Sequence, residues 1–390
     1  MNSQTFCIVP WTHTRISADG TVTPCCKIDK SFPITNINSL TNFDDWWNND
    51  SMQKLRQDLS QGEKNKYCNV CWSDEAAGKS SLRQDYNKRL SKHTDLRSIS
   101  KSQNFLAQNL PVGFDIDLGN ICNFKCATCG PANSSKWQTE RKQHASKFNA
   151  LEFVKQLPDY DFDWPNQNNF QSWFQTVAPG MKLLSLRGGE PLLIKNVKSV
   201  INSVQDKQNC VINIVTNGSV DIDNDFLDDL KQFSEIWLSV SVDGIDDQGE
   251  YVRYGSNWAI IDKNIQKISK LSNCTFRLNT VLQFFSSLTF PAIAEYALKN
   301  DLIVDVIFCY QPKFYSIHAM QPQHQEKFYN LILDKISQHP EVKWLQDVKG
   351  FLESYVFDPV LHQQAKEYTD TLDSIRKNKL ASIQELFQNV

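Results

Sequence analysis

Pro111-Val-Gly-Phe-Asp-Ile-Asp-Leu118 leads through Gly-Asn-Ile into Cys122-Asn-Phe-Lys-Cys126-Ala-Thr-Cys129-Gly130. The first half sets Val112, Phe114, Ile116 and Leu118 against Asp115 and Asp117, the alternation of a strand with one face on a core. The second half places three cysteines directly after that strand. Open α/β sheets build their sites on such loops, beyond the carboxyl ends of strands. Thiolates are the ligands of iron–sulfur clusters and of zinc. Three this close can hold three corners of a cubane and leave the fourth iron open to a ligand. A structural zinc needs a fourth protein ligand, and the nearest histidine, His144, lies well down the chain.

Working outward, strands are predicted at Lys182–Leu186, Cys210–Val215, Ile236–Val242, Cys274–Leu282 and Ile303–Tyr310. Helical stretches fall between them at Asn196–Gln205, Asp225–Phe233, Asn257–Leu271 and Pro291–Lys299. Alternation of this kind predicts a parallel sheet with helices outside. Six strand–helix units are fewer than the eight of a closed barrel. The expected fold class is therefore α/β, a partial (β/α)6 barrel of the TIM type over residues 111–318. Ala145–Gly180 reads as an aromatic insertion between the first two strands. Residues 1–72, rich in Trp, Cys and turn residues, read as a small separate module, 73–110 as a helical connector and 319–390 as a helical extension. Leu361, Ala365, Tyr368, Leu372 and Ile375 there fall at helical spacing.

In the first 72 residues, Ala18-Asp19-Gly20 marks the turn of a hairpin over Arg15–Pro24, and Asp44–Leu59 has helical periodicity. Cys7, Gly20 and Cys25 fit Cys-x12-Gly-x4-Cys, and Cys68-x2-Cys71 follows the helix. These segments can bring four thiolates to one closed site, with either Cys25 or its neighbour Cys26 as the second ligand. A structural four-cysteine zinc site is the alternative.

The 390 residues suit two domains, and 41% hydrophobic with 22% charged residues is an ordinary water-soluble composition. A formal net charge of −3 gives no reason to expect a nucleic-acid partner. The basic stretch Lys79–Lys101 reads as a solvated helix face. No segment has the apolar length of a membrane span, and Met1–Pro10 lacks the basic flank and apolar run of a signal peptide. The expected location is the cytoplasm. There the 11 cysteines, eight of them in two clusters, point to metal rather than disulfides.

Cys122-x3-Cys126-x2-Cys129 resembles the signature of the radical S-adenosylmethionine (radical SAM) superfamily. Arg187-Gly188-Gly189-Glu190-Pro191, at the end of the second strand, resembles that family's Gly-Gly-Glu-Pro motif. Ser239-Val-Ser241-Val-Asp243-Gly244 and Thr216-Asn217-Gly218 stand at the strand ends where many relatives carry cofactor contacts. The resemblance implies that Cys122, Cys126 and Cys129 hold a catalytic [4Fe–4S] cluster. It assigns Gly188, Gly189, Glu190 and Pro191 to the methionyl amino group, Ser241 to the carboxylate or ribose and Arg253 to the carboxylate, with Asp243 in the same cofactor-binding segment. Thr216, Asn217, Asn279 and Val281 would line the rest of the cofactor site. The N-terminal stretch, including Pro10-Trp11-Thr12-His13, Trp46, Leu55-Arg56 and Cys71-Trp72, resembles the SPASM and twitch modules of many such enzymes. There Cys7, Cys25, Cys68 and Cys71 would hold a second, auxiliary [4Fe–4S] cluster. The module stands ahead of the barrel, where most relatives carry it behind.

The resemblance further implies reductive cleavage of S-adenosylmethionine to a 5'-deoxyadenosyl radical and hydrogen abstraction from a substrate. It calls for an electron donor such as flavodoxin or ferredoxin. A peptide or protein side chain is the expected substrate, since Phe153, Tyr160, Phe162, Trp164, Phe170, Trp173 and Phe174 of the insertion offer surface for an extended chain. A small molecule such as a sugar or aminoglycoside is the alternative, and a non-catalytic zinc or iron–sulfur protein the rival from another class. Cys309, beside Tyr310, is a weaker candidate to return a hydrogen atom to a product radical.

Overall fold

The computed structural model describes residues 4–40, 42–76, 80–91, 105–155 and 161–388. Tyr160, Lys79 and residues 92–101 of the basic stretch, and part of the connector lie outside the described residues. The strands among them are β1 (His13–Ile16), β2 (Thr21–Thr23), β3 (Thr35–Asn36), β4 (Gly113–Asp117), β5 (Lys125–Cys126) and β6 (Leu183–Arg187). They continue with β7 (Val211–Thr216), β8 (Glu235–Ser241), β9 (Arg253–Tyr254), β10 (Cys274–Leu282) and β11 (Ile303–Phe308). β4, β6, β7, β8, β10 and β11 are the six predicted strands. With the helices between them they follow the order of a partial (β/α)6 barrel.

The chain divides into two compact units: Met1–Asn120, Tyr160–Ile214 and Asp223–Ile236 form the first, and Ile121–Asp159, Val215–Ile222 and Trp237–Val390 the second. In the first, β6 pairs in parallel with both β4 and β7. The hairpin forms as expected, with Arg15 opposite Thr23 and Gly20 at a φ of +79°. Its strand β1 then does what the alternation did not announce: it pairs in parallel with β4, His13 beside Gly113 through Ile16 beside Ile116. The N-terminal hairpin thereby extends the sheet at β4. The helix predicted over Asp44–Leu59 is two helices, Phe43–Trp47 and Asp50–Gln61. The break falls where Asn49 accepts the Met52 N–H at 2.9 Å, an N-cap that competes with continuing the helix.

The insertion corrects one expectation. Trp164, Phe170 and Phe174 are buried, and Trp173 stacks on Phe43 at 4.8 Å and meets Phe114 edge-on at 5.7 Å. The Trp164 Nε1–H donates to the Ala18 carbonyl at 2.8 Å. Phe162 is half-buried. These rings are core of the first unit, not the lining of an open cleft. Burying a large aromatic gains more than exposing it to water, and the Trp46–Trp47 helix supplies facing rings.

In the second unit the strand order is β11-β10-β8, with Asn279 beside Asp305 and Val281 beside Ile307. The helix expected from Pro291 starts at Ser286 and runs to Lys299 with Pro291 inside, because Ser286, Thr289, Phe290, Ile293, Ala294 and Ala297 bury one continuous face. Helix Pro359–Arg376 covers the predicted C-terminal pattern and buries Ala365, Tyr368, Thr369 and Leu372. Phe153, half-buried, meets Phe314 at 5.2 Å in this unit. Among the described residues no helix is long and apolar enough to cross a membrane.

Candidate active site

The cysteine loop lies in the second unit and is pinned at both ends. Ser135 Oγ accepts the Cys122 N–H and donates to the Cys122 carbonyl, both at 3.3 Å. Cys126 sits in β5, which pairs antiparallel with β9 so that Cys126 stands opposite Arg253. The Trp137 indole donates to the Cys126 carbonyl at 2.8 Å. Below the loop, Glu140 bridges Lys125 and Arg376; the Arg376 Nη2 contact is 2.9 Å, and both partners are about 95% buried. The C-terminal helix thus grips the ribbon that carries Cys126. Burial pushes the Cys126 thiol up to about 11 and Cys129 up to about 12, and each lies in the field of the other loop cysteines. Ligation must therefore displace protons from both.

Around the loop the structure gathers part of the predicted cofactor set. The Asn217 amide donates to Asn123 Oδ1 at 2.9 Å and reaches Cys122 Sγ at 3.9 Å. Thr216 Oγ1 accepts the Gly218 N–H. Asp243 is buried with both oxygens engaged: one takes Arg253 Nη1 at 2.8 Å, the other the Val281 N–H at 2.8 Å. Asp243 therefore orients Arg253 and the end of β10. The Arg253 Nε and Asn279 Oδ1 are buried without a hydrogen-bond partner among the described residues, and such atoms call for an occupant. Ser241 is half-buried at the end of β8. Cys309 is buried and its thiol turns to the carbonyls of Gln311 and Pro312.

The Gly-Gly-Glu-Pro turn belongs to the first unit. Gly188 has a φ of +80°, and a Cβ there would stand 2.6 Å from Asp117 Cβ, so only glycine fits. Glu190 is fully buried and its Oε1 accepts the Leu192 N–H at 3.1 Å, capping the short turn Pro191–Leu193.

Cys7 and Cys71 are buried and Cys25 and Cys68 half-buried. Cys7 lies in the field of Cys68 and Cys71, and Cys25 in the field of Cys7 and Cys71. Burial pushes the thiols of Cys7, Cys25, Cys68 and Cys71 up. Cys26 lies in the field of Cys25 and also acts on Arg15, Arg187 and Tyr86. The scaffold is held by Arg56, wholly buried, which donates to the carbonyls of Pro10 at 2.8 Å and Trp47 at 2.6 Å. Burial pushes this guanidinium down to about 9. In the sequence Arg56 stands out only through the resemblance of Leu55-Arg56; a lone Arg among aromatics carries no signal of such a role. Among the described residues no three His, Cys, Asp or Glu side chains close around a single ion. The two donor sets are nonetheless soft thiolates, the ligands suited to iron–sulfur clusters.

The SPASM family, an iron-sulfur cluster-binding domain, matches residues 7–72. Probable GTP 3',8-cyclases of Methanococcus maripaludis are similar to the chain: strain C6 at 23% identity and strain C7 at 27%, each over 195 residues, 50% of this chain and 57% of the relative. The match thus spans little more than half the length of these curated relatives. Among solved structures, Streptococcus suis SuiB bound to precursor peptide SuiA aligns over 84% of this chain and 71% of that one, at 14% identity and a TM-score of 0.41. The SPASM match lies over the Cys7–Cys71 set, and the Cys122 loop and the Gly188 turn follow it in the order of the strand–helix repeat. The chain accordingly carries an N-terminal stretch that matches the SPASM iron-sulfur cluster-binding domain and, over half of its length, is similar to probable GTP 3',8-cyclases.

Proposed function

We propose that this chain cleaves S-adenosylmethionine reductively and abstracts a hydrogen atom from its substrate. The observation that carries the reading is the Cys122–Cys129 loop, three thiols in one another's field beside the buried Asp243–Arg253 pair. Cys122, Cys126 and Cys129 would hold a [4Fe–4S] cluster with one open iron, and Cys7, Cys25, Cys68 and Cys71 a second. When bound, the first cluster supplies the electron that breaks the sulfonium bond. Glu190 would accept the methionyl amine, Arg253 and Ser241 the carboxylate or ribose, and Thr216, Asn217, Asn279 and Val281 the remaining surface. The working domains are the module at 1–72, the connector at 73–110, the barrel at 111–318 and the extension at 319–390. The electron donor would be a flavodoxin or ferredoxin, and the location the cytoplasm.

The proposed substrate is a peptide or protein side chain. Its support is the SPASM module, which often accompanies peptide modification in this class; the insertion aromatics, being core, no longer contribute. The test is 5'-deoxyadenosine formation by anaerobically reconstituted protein under dithionite. Wild type should form it, the Cys122/Cys126/Cys129→Ala variant should not, and that variant should keep iron for one cluster. Undiminished product in the variant refutes the reading. Stoichiometric zinc without iron in it makes the module a zinc site instead.

A further inference from the structure

The parallel pairing of β1 with β4 places side chains of the module beside the turn that carries Glu190. Arg15 stands abreast of Asp115, and Asp115 abreast of Ser185. In the next row Asp117 stands beside Arg187. Residues two apart on a strand share a face, so His13, Arg15, Asp115, Asp117, Ser185 and Arg187 all lie on one side of the sheet. On that side the Arg15 Nη2 donates to Asp117 Oδ2 at 2.7 Å. Arg187 donates to Asp115, whose other oxygen is 3.5 Å from His13 Nε2. The Tyr86 hydroxyl lies 3.4 Å from the Asp115 carboxylate and 3.3 Å from His13 Nε2.

Asp117 links this network to the turn. A Cβ on Gly188 would come within 2.6 Å of Asp117 Cβ and 3.1 Å of the Gly119 carbonyl oxygen. The turn therefore rests directly on Asp117, and where Asp117 sits decides where Gly188 sits. Asp117 is 3% exposed, and its Oδ1 has no hydrogen-bond partner among the described residues. Its Oδ2 takes the hydrogen bond from Arg15, and Arg187 beside it in the ladder lies in its field without a hydrogen bond to it among the described residues. A buried carboxylate that loses its paired cation is left with an uncompensated charge and must move toward water or a new partner.

We propose that Arg15 is a positioning residue for the S-adenosylmethionine turn. Through Asp117, the SPASM module sets the placement of Gly188 and so of Gly189 and Glu190. The module is then part of the cofactor site's framework as well as a holder of its own thiolates. The inference rests on the reading of that turn given above.

The test measures S-adenosylmethionine affinity by anaerobic equilibrium dialysis on the full reconstituted chain, together with iron content and the kinetics of 5'-deoxyadenosine formation. Arg15→Ala and Asp117→Asn, the latter keeping its shape against Gly188, should each weaken binding about tenfold, the scale of one lost charge-assisted hydrogen bond. KM for S-adenosylmethionine should rise in parallel, with kcat at saturation within about twofold and iron unchanged. Arg15→Lys, which keeps the charge, should recover most of the affinity. Unchanged affinity in Arg15→Ala and Asp117→Asn overturns the proposal. So does a loss of affinity that tracks loss of iron and of kcat, since that marks a merely structural residue. Wild-type protein that binds no S-adenosylmethionine refutes the function itself, an outcome distinct from either.

Discussion

Replacing Gly188 with Ala tests the geometry of the Gly188–Pro191 turn, the proposed cofactor turn, without touching a thiol or a charge. Gly188 sits at a φ of +80°, where an L side chain costs about 1–2 kcal/mol. The new methyl would also meet Asp117 Cβ at 2.6 Å, Asp117 Cα at 3.0 Å and the Gly119 oxygen at 3.1 Å. Two of those atoms are backbone, and Asp117 is tied to Arg15, so no flexible chain end can swing aside. Forcing a methyl into such a site costs a further ~1–3 kcal/mol. The turn should shift to relieve part of this, lowering stability by at most about 2–5 kcal/mol and weakening S-adenosylmethionine binding with it. Gly180→Ala is the control, because a Cβ there meets nothing within 4 Å and its φ is not positive. The assay is the denaturant midpoint of anaerobically reconstituted protein, with a binding titration at each variant. A Gly188→Ala protein as stable as the Gly180→Ala control, and binding as tightly as wild type, would show that the turn does not rest on Asp117 as described.

Two other perturbations bear on the same framework. Arg376→Ala removes one of the two cations on Glu140, both groups being buried, while Lys125 stays; stability should fall by about 1.5–3 kcal/mol, and a cluster held by the Cys122 loop should bleach faster in air, followed by its visible absorbance. At low pH the decisive group is Asp115: burial alone would raise its carboxyl, but Arg187 first and then His13 outweigh it and hold it well below the usual carboxylate range. A depressed carboxyl stabilises the fold fully above its unfolded value of about 3.9 and loses that contribution as pH falls below it. Asp115→Asn should therefore be less stable than wild type at neutral pH and converge with it in acid denaturation curves; a constant difference down to pH 2 would be evidence against that origin.

The strand–helix repeat and the spacing of the two cysteine sets were legible in the sequence because each is written in local order. A strand's alternation and a Cys-x3-Cys-x2-Cys spacing need no distant partner to be recognised. The same holds for the hairpin turn at Asp19-Gly20 and for helix Pro359–Arg376. Other features depend on which surfaces meet. The choice between Cys25 and Cys26 depends on such meetings: Cys25 lies in the field of Cys26, Cys7 and Cys71, and Cys26 also in that of Arg15 and Arg187. The insertion aromatics looked the same whether they lined a cleft or filled a core, and the rings of Phe43 and Phe114 decided for the core. The pairing of β1 with β4 joins residues a hundred positions apart, and no periodicity within either strand encodes its neighbour. The sequence by itself determined which residues can be strands, helices and thiolate ligands, since those are properties of short windows. Tertiary structure alone decided that Arg15 of the module meets Asp117 under the cofactor turn, because a backbone ladder between distant strands is chosen by the packing of the whole sheet.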